Sequence, residues 1–475
     1  MLQFRFARRG FQAAASLLLV LGVLASSSAM AQDFKGKGKL PDFIPVGYDD
    51  YQNMLDQLGI KKMRKGRDSK VKDTSSEATA NRYKDTMPDL MTFKDGTKVK
   101  AAEQWPKRRA EIVEDFEREV YGRVPKNVPK VKWEVTKTEE GEMGGIAVVT
   151  KTLVGTVDNS AFPKITVKIQ ASFTVPKHAA GKVPIIIQYD FGFGGFGGKG
   201  GASSWQQQAL NKGWGFGTIS PNSIQPDSGR LREGIIGLTN KGEPRQPDDW
   251  GALRAWAWGV SCLIDYFEAN PDSGVDPAKV CITGVSRYGK AALVAAAFET
   301  RIAAGFVASS GAGGAKLFRR DFGELLENLA SRGGYHWMAG NFLKYAADES
   351  KFGKKTVADL PVDQHQLIAL CAPRLCFISY GVPSGKPIGD PNWVDAHGSF
   401  MAGVLAGPAY RLQGKKDLGT AGEYLTDKMP AVNTLIGGEL AWRQHDGGHT
   451  NGPNFPAFYE WAGRYISTPG LTKKK

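Results

Sequence analysis

Val280-Cys281-Ile282-Thr283-Gly284-Val285-Ser286-Arg287-Tyr288-Gly289-Lys290 is the stretch on which the fold of this chain turns. Residues 280–283 are apolar and β-branched, as a buried strand requires. From Lys290 the run Ala291-Ala292-Leu293-Val294-Ala295-Ala296-Ala297-Phe298 is made of good helix formers. Gly284 and Gly289 bracket Ser286 between these two segments. A strand that breaks this sharply into a helix holds its serine strained and exposed at the strand's carboxyl end. Small residues two before and three after the serine let strand and helix pass closely. The spacing, G-x-S-x-x-G, is one residue off the G-x-S-x-G nucleophile elbow. A serine capping an ordinary helix would read the same way, so the choice between nucleophile and cap falls to the context.

That context alternates strands with helices. Residues 132–137, 145–154 and 164–175 read as strands with hairpin connections. Residues 183–189 form a short, wholly apolar run, the signature of a strand buried on both faces. A glycine loop follows at 191–201, then a strand at 213–220 and an amphipathic helix at 250–268. After the elbow come strands at 302–309, 374–380 and 439–443, a short helix ending at 366–370, and a closing helix at 456–466. Residues 311–360 read as a mixed insert, and residues 381–400 as a long Gly/Pro loop. A hairpin-rich start followed by strand–helix alternation predicts an α/β-hydrolase, a three-layer αβα sandwich on a mainly parallel sheet. In that setting Ser286 reads as the nucleophile.

The same fold orders its triad as serine, then acid, then histidine. Gln444-His445-Asp446-Gly447-Gly448-His449-Thr450 stands after the last strand. His449 follows two glycines that free the loop to turn, and is the candidate base; His445, at the strand end, reads as structural. The acid belongs after one of the two strands between elbow and histidine. The first ends in Ser309-Ser310-Gly311 without a carboxylate. The second leads to Asp390, flanked by Gly389 and Pro391, and to Asp395, the alternative. Either aspartate could orient the imidazole; either could be a turn or cap residue. The backbone N–H and guanidinium of Arg287 are candidate oxyanion donors. Gly192-Phe193-Gly194-Gly195-Phe196-Gly197 is a literal G-x-G-x-x-G, but no acid lies about 20 residues on, where a dinucleotide's ribose needs one.

The chain has 475 residues, enough for a large core. Residues 1–31 read as a secretory leader: Arg5, Arg8 and Arg9, an apolar run at 13–25, and Ala29-Met30-Ala31 as the cleavage site, with cleavage after Ala31. The apolar run is too short for a comfortable membrane span, and a periplasmic or secreted location follows. Residues 32–100 read as an irregular N-terminal arm with one helix near 51–58, and residues 101–475 as the catalytic domain. The formal net charge is +14, from scattered Lys and Arg. Export and the lack of any finger or RNA-recognition motif exclude a nucleic-acid partner. The four cysteines have no zinc-site spacing, so no metal and no cofactor are expected. An exported chain could pair its cysteines, but Cys262, Cys281 and Cys376 fall in apolar elements that suit buried free thiols at least as well.

At Gly284-Val285-Ser286-Arg287-Tyr288-Gly289-Lys290 the chain resembles the glucuronoyl esterases, whose elbow is G-x-S-R-x-G-K. The likeness continues through Ser310-Gly311-Ala312-Gly313-Gly314-Ala315, Arg319-Arg320, Phe322-Gly323-Glu324, Tyr335-His336-Trp337, Leu360-Pro361-Val362-Asp363-Gln364-His365, Ala372-Pro373-Arg374, Trp393 with Asp395, and Gly447-Gly448-His449. It spans roughly residues 100–470. The resemblance implies cleavage of esters between 4-O-methyl-glucuronate on xylan and lignin alcohols, with a glucuronoxylan or lignin–carbohydrate ester as substrate. It implies oxyanion support from Arg287, and a uronate held by Lys290, Glu324 and Trp393. The chain departs from the family at two points. Many members carry glutamate where Ser309 stands, and others place the acid two residues before the tryptophan, whereas Asp390 is three before Trp393. An acetylxylan esterase or other carbohydrate esterase would share fold and triad. A catalytically weak uronate-binding protein would share the sugar site.

Overall fold

A computed structural model describes residues 40–68, 75–190, 205–382 and 391–470. The leader, the glycine loop at 191–201 and Asp390 lie outside the described residues. The strands, in chain order, are β1 (Ile60–Met63), β2 (Val131–Met143), β3 (Ile146–Val157), β4 (Lys168–Pro176), β5 (Val183–Tyr189), β6 (Gly215–Ile219), β7 (Val275–Val285), β8 (Ala304–Ala308), β9 (Ala347–Ser350), β10 (Leu375–Gly381), β11 (Leu435–Gly437) and β12 (Leu440–His445). Ten of them form one sheet in the order β11-β12-β10-β8-β7-β5-β6-β4-β3-β2. From β12 to β6 every pairing is parallel. The hairpin strands β2, β3 and β4 add antiparallel at one edge, and β11 at the other.

Side chains alternate across this sheet, and the two faces feed two cores. Ile185, Ile187, Val280, Ile282, Val307, Ile378 and Trp442 point to the larger core, beneath the helices Ala252–Ala269, Arg287–Phe298 and Ala396–Leu412. Their neighbours Ile186, Cys281, Phe306, Phe377 and Ala441 point the other way, against Phe455, Phe458 and Trp461 of the helix Phe455–Ala462. Helices on both faces make the three-layer αβα sandwich expected from the apolar, unalternating strand sequences.

The largest departure from expectation is the helix Ala396–Leu412. The segment begins inside what reads as a Gly/Pro loop at 381–400. Gly398, Gly403, Gly407 and Pro408 disguise it, since glycine and proline are the poorest helix formers. Burial overrides propensity here. The helix is buried along most of its length, and its glycines face close neighbours: the Asp395 carboxylate at Gly398, Leu418 at Gly403 and Asp417 at Gly407. β1, β9 and β11 are also additions to the sequence reading, each being only three or four residues long.

The N-terminal segment is tied to the sheet domain. Its helix Asp50–Gln57 buries Tyr51 and Met54 in the larger core. β1 pairs antiparallel with β9. Arg67 and Arg82 both bridge to Asp321, and Glu77 to Arg320. These pairs brace the stretch that carries Glu324.

Phe306 stacks on Phe458 with centroids 4.9 Å apart and meets Phe377 and Phe455 edge-on. Phe306→Ala is expected to lower unfolding free energy by about 3–5 kcal/mol in urea titration. A loss below about 1 kcal/mol would contradict this packing.

Candidate active site

β7 ends at Val285, and the helix Arg287–Phe298 begins two residues later. Ser286 sits between them at φ 60° and ψ −127°, a region that non-glycine residues avoid. It occupies the N-cap position, yet its side chain makes no capping bond. Its backbone N–H donates to the carbonyl of Ala308 on β8 at 3.1 Å. A Cβ on Gly284 would lie 2.3 Å from the Tyr288 carbonyl oxygen, and one on Gly289 would lie 2.3 Å from that of Ala308. Both glycines are therefore steric requirements of the turn. Ser286 and Arg287 are partly exposed, while the flanking core is closed. Arg287 opens the helix, so its backbone N–H is among the donors that a first turn leaves unpaired within the helix.

The loop after β12 crosses the tips of the neighbouring strands. Val382 donates to the His445 carbonyl at 2.7 Å, and the Gly448 carbonyl packs directly on Gly381 at the end of β10. Further on, Asn451 Nδ2 donates to Gln188 Oε1 on β5 at 3.3 Å. Between β10 and β5 lie β8 and β7, so His449 is carried across the strand ends toward the elbow. His445 is consumed in building this loop. Its Nδ1 accepts from the Gly447 N–H at 3.0 Å, and its Nε2–H donates to the Thr450 carbonyl at 2.8 Å. The ring of His449, by contrast, has a buried Nε2 with no partner among the described residues. Burial, and then the charge of Lys290, push its pKa down to about 4.

Of the two aspartates, Asp395 is committed elsewhere. It caps the helix Ala396–Leu412 through the Gly398 N–H at 2.9 Å and accepts Arg320 Nε at 2.9 Å, with both partners of that ion pair buried. The structure does not bring it to His449; it is the cap aspartate that the sequence allowed. Ser309 follows β8 at φ 43° and is buried.

Lys290, Glu324 and Trp393 do come together. Lys290 Nζ donates to the carbonyls of Ser310 at 2.8 Å and Ala312 at 2.6 Å, and to Glu324 Oε2 at 2.7 Å. An ammonium has three N–H donors, so none is left over. Burial lowers the Lys290 pKa, and Glu324 opposes that shift. Glu324 Oε2 also accepts the Ala312 N–H at 3.1 Å. The Glu324 N–H donates to the Trp393 carbonyl at 2.7 Å. Among the described residues Oε1 of Glu324 carries no protein bond, so it is the free acceptor of this cluster. Trp393 itself is half-buried.

Asp227 is absent from the sequence reading. Its carboxylate accepts Arg287 Nη1 at 2.7 Å and Trp337 Nε1 at 2.6 Å, and faces His336 Nε2 at 2.9 Å. Burial alone would raise its pKa; His336, Arg287 and Trp337 more than offset this and hold it well below the usual carboxylate range. The local sequence, Pro226-Asp227-Ser228-Gly229, signals only a turn. All four cysteines are free and buried. Among the described residues no cluster of His, Cys, Asp or Glu could hold a metal ion.

The sequence profile of the family described as fungal glucuronyl esterase matches residues 245–389, which include the elbow and β10. A carbohydrate esterase from an unknown prokaryotic organism is 32% identical over 426 residues, covering 82% of this chain and 91% of the relative. A 4-O-methyl-glucuronoyl methylesterase from Schizophyllum commune is 28% identical over 353 residues, 72% of this chain and 78% of the relative. Among solved structures, a glucuronoyl esterase of carbohydrate esterase family 15 from Teredinibacter turnerae superposes with a TM-score of 0.79. It is 38% identical and the match covers 87% of this chain and 98% of that one. With the elbow, the sheet order and these likenesses in agreement, the chain belongs to the glucuronoyl esterase family.

Proposed function

We propose that this chain hydrolyses esters of 4-O-methyl-glucuronic acid through an acyl-enzyme on Ser286. Family membership makes it a carboxylic ester hydrolase. The observation that carries the serine mechanism is Ser286 itself: strained, partly exposed and uncapped at the N-terminus of a helix. In this reading Ser286 Oγ attacks the ester carbonyl while His449 Nε2 takes its proton. The tetrahedral oxyanion meets the Arg287 backbone N–H and guanidinium. His449 then returns the proton to the departing alcohol. Water, deprotonated by the same imidazole, attacks the acyl carbon and releases the uronic acid. Asp390 orients the imidazole, although it stands one residue off the bacterial pattern; Asp395 is already occupied by Arg320 and Gly398.

The uronate lies against the Trp393 face with a hydroxyl on Glu324 Oε1. Lys290 acts through Glu324, fixing its carboxylate and screening its charge. The substrate polymer is extracellular, in keeping with export by the leader at residues 1–31. Among the described residues no helix is long and apolar enough to cross a membrane.

Ser286→Ala is expected to lower kcat on benzyl glucuronate by about six orders of magnitude. Retained turnover would exclude the acyl-enzyme. Asp390→Asn is expected to cost about four orders. Asp395→Asn instead strands Arg320 and is expected to show chiefly as lost stability, about 3–5 kcal/mol by chemical unfolding. The reverse pattern would make Asp395 the acid.

The pH profile follows from His449. Only the neutral ring accepts a proton, and the folded protein holds its pKa down at about 4. The value of kcat/KM, which reports the free enzyme, should stay level as pH falls from 7 to 5, then drop near 4. An acid limb at 6.5 or above would mean that the Asp390 carboxylate already holds the ring, and raises its pKa, before substrate binds.

A further inference from the structure

Asp227 sits on the loop after β6, sixty residues before Arg287. That loop is pinned rather than loose. Asn222 Oδ1 accepts the Asp227 N–H at 2.9 Å, and buried Trp256 Nε1 donates to the Gln225 carbonyl at 2.9 Å. The carboxylate splits its work between its oxygens. Oδ2 takes Arg287 Nη1, while Oδ1 takes the Trp337 indole and the His336 ring. Trp337 in turn lies 5.6 Å from the Arg287 guanidinium, measured to the ring centroid. One carboxylate thus fixes both the end of the arginine and the aromatic face beside it. The Asp227 side chain is 12% exposed and that of Arg287 is 27% exposed, so the pair is only partly screened by water.

Two effects of Asp227 on an oxyanion oppose each other. Its negative charge weakens the field of Arg287. Its hydrogen bond removes the rotamer freedom of a long side chain and leaves the other guanidinium N–H groups aimed in advance. A donor already oriented needs no reorganisation when charge develops, and this is where such sites draw most of their effect. The bond at 2.7 Å is in the range of charge-assisted pairs, whose geometry is well defined. We infer that Asp227 is a positioning residue, holding Arg287 and Trp337 in place for the tetrahedral intermediate formed at Ser286. The inference rests on the proposed roles of Ser286 and Arg287.

The test is a double-mutant cycle on benzyl glucuronate, with Ser286→Ala run beside it. Asp227→Asn should lower kcat about ten- to a hundredfold and leave KM within about threefold. Arg287→Ala should lower kcat by about a hundredfold or more, the loss typical of an oxyanion donor. The double variant should be no slower than Arg287→Ala, because residues acting through one group are not additive. Asp227→Glu retains the charge but moves it by one methylene. It should fold with an unchanged near-ultraviolet circular dichroism spectrum and still lose kcat severalfold, which keeps the test open if Asp227→Asn fails to fold. Wild-type or higher kcat in either folded Asp227 variant, or losses that multiply in the double, would overturn the positioning role. Turnover surviving Ser286→Ala would instead sink the nucleophile reading, and the two failures are distinct.

Discussion

The structure depends on how closely the helix Arg287–Phe298 passes the strands that precede and flank it. Gly284 lies under the Tyr288 carbonyl and Gly289 under the Ala308 carbonyl, each with no room for a Cβ. That approach lets β7 turn into the helix within two residues and sets Ser286 at a positive φ. Such a backbone costs on the order of 1–3 kcal/mol and persists only where the surroundings over-determine it. Here the surroundings are a parallel sheet whose central strands are buried on both faces, with Val280 and Ile282 on one side and Cys281 on the other. The strained serine and the packed sheet are consequences of one sequence pattern.

Charge is arranged around that turn in paired form. Lys290 and Glu324 neutralise one another in the interior, and the ammonium finds two backbone carbonyls as well. A buried pair is tolerable only when its remaining donors are satisfied in this way. The Ser310–Ala315 stretch supplies those carbonyls because its glycines let the backbone wrap the ammonium. Gly311 has φ 63°, with the Glu324 carboxylate and Lys290 against the place where a side chain would be. On the other flank Arg287 is paired to Asp227. His449 feels the charge of Lys290 and has a buried Nε2 with no partner among the described residues. Its lowered pKa keeps it in the neutral form that a general base needs.

The elements legible in the sequence were those whose signal is local. The apolar run at 183–189 is β5 residue for residue, and the glycine spacing around Ser286 marks the turn. The end of the last strand and the loop after it carry the two histidines, but only the structure separates them, because the bonds of His445 go to that loop. What was hidden is tertiary. The helix Ala396–Leu412 is held by burial against its glycine content. Asp227 reaches Arg287 from a loop sixty residues away. The commitment of Asp395 depends on Arg320, which is also far in sequence. The saturation of Lys290 could not be read from its place on the helix.

The proposed chemistry stands on Ser286 as the nucleophile. Labelling the folded protein with a fluorophosphonate, followed by peptide mapping, tests it most directly. A nucleophilic Ser286 gives a stoichiometric adduct on the peptide that contains it, with ester hydrolysis lost in step. An unlabelled Ser286 in an enzyme that still cleaves glucuronate esters, or an adduct confined to another residue, would contradict it.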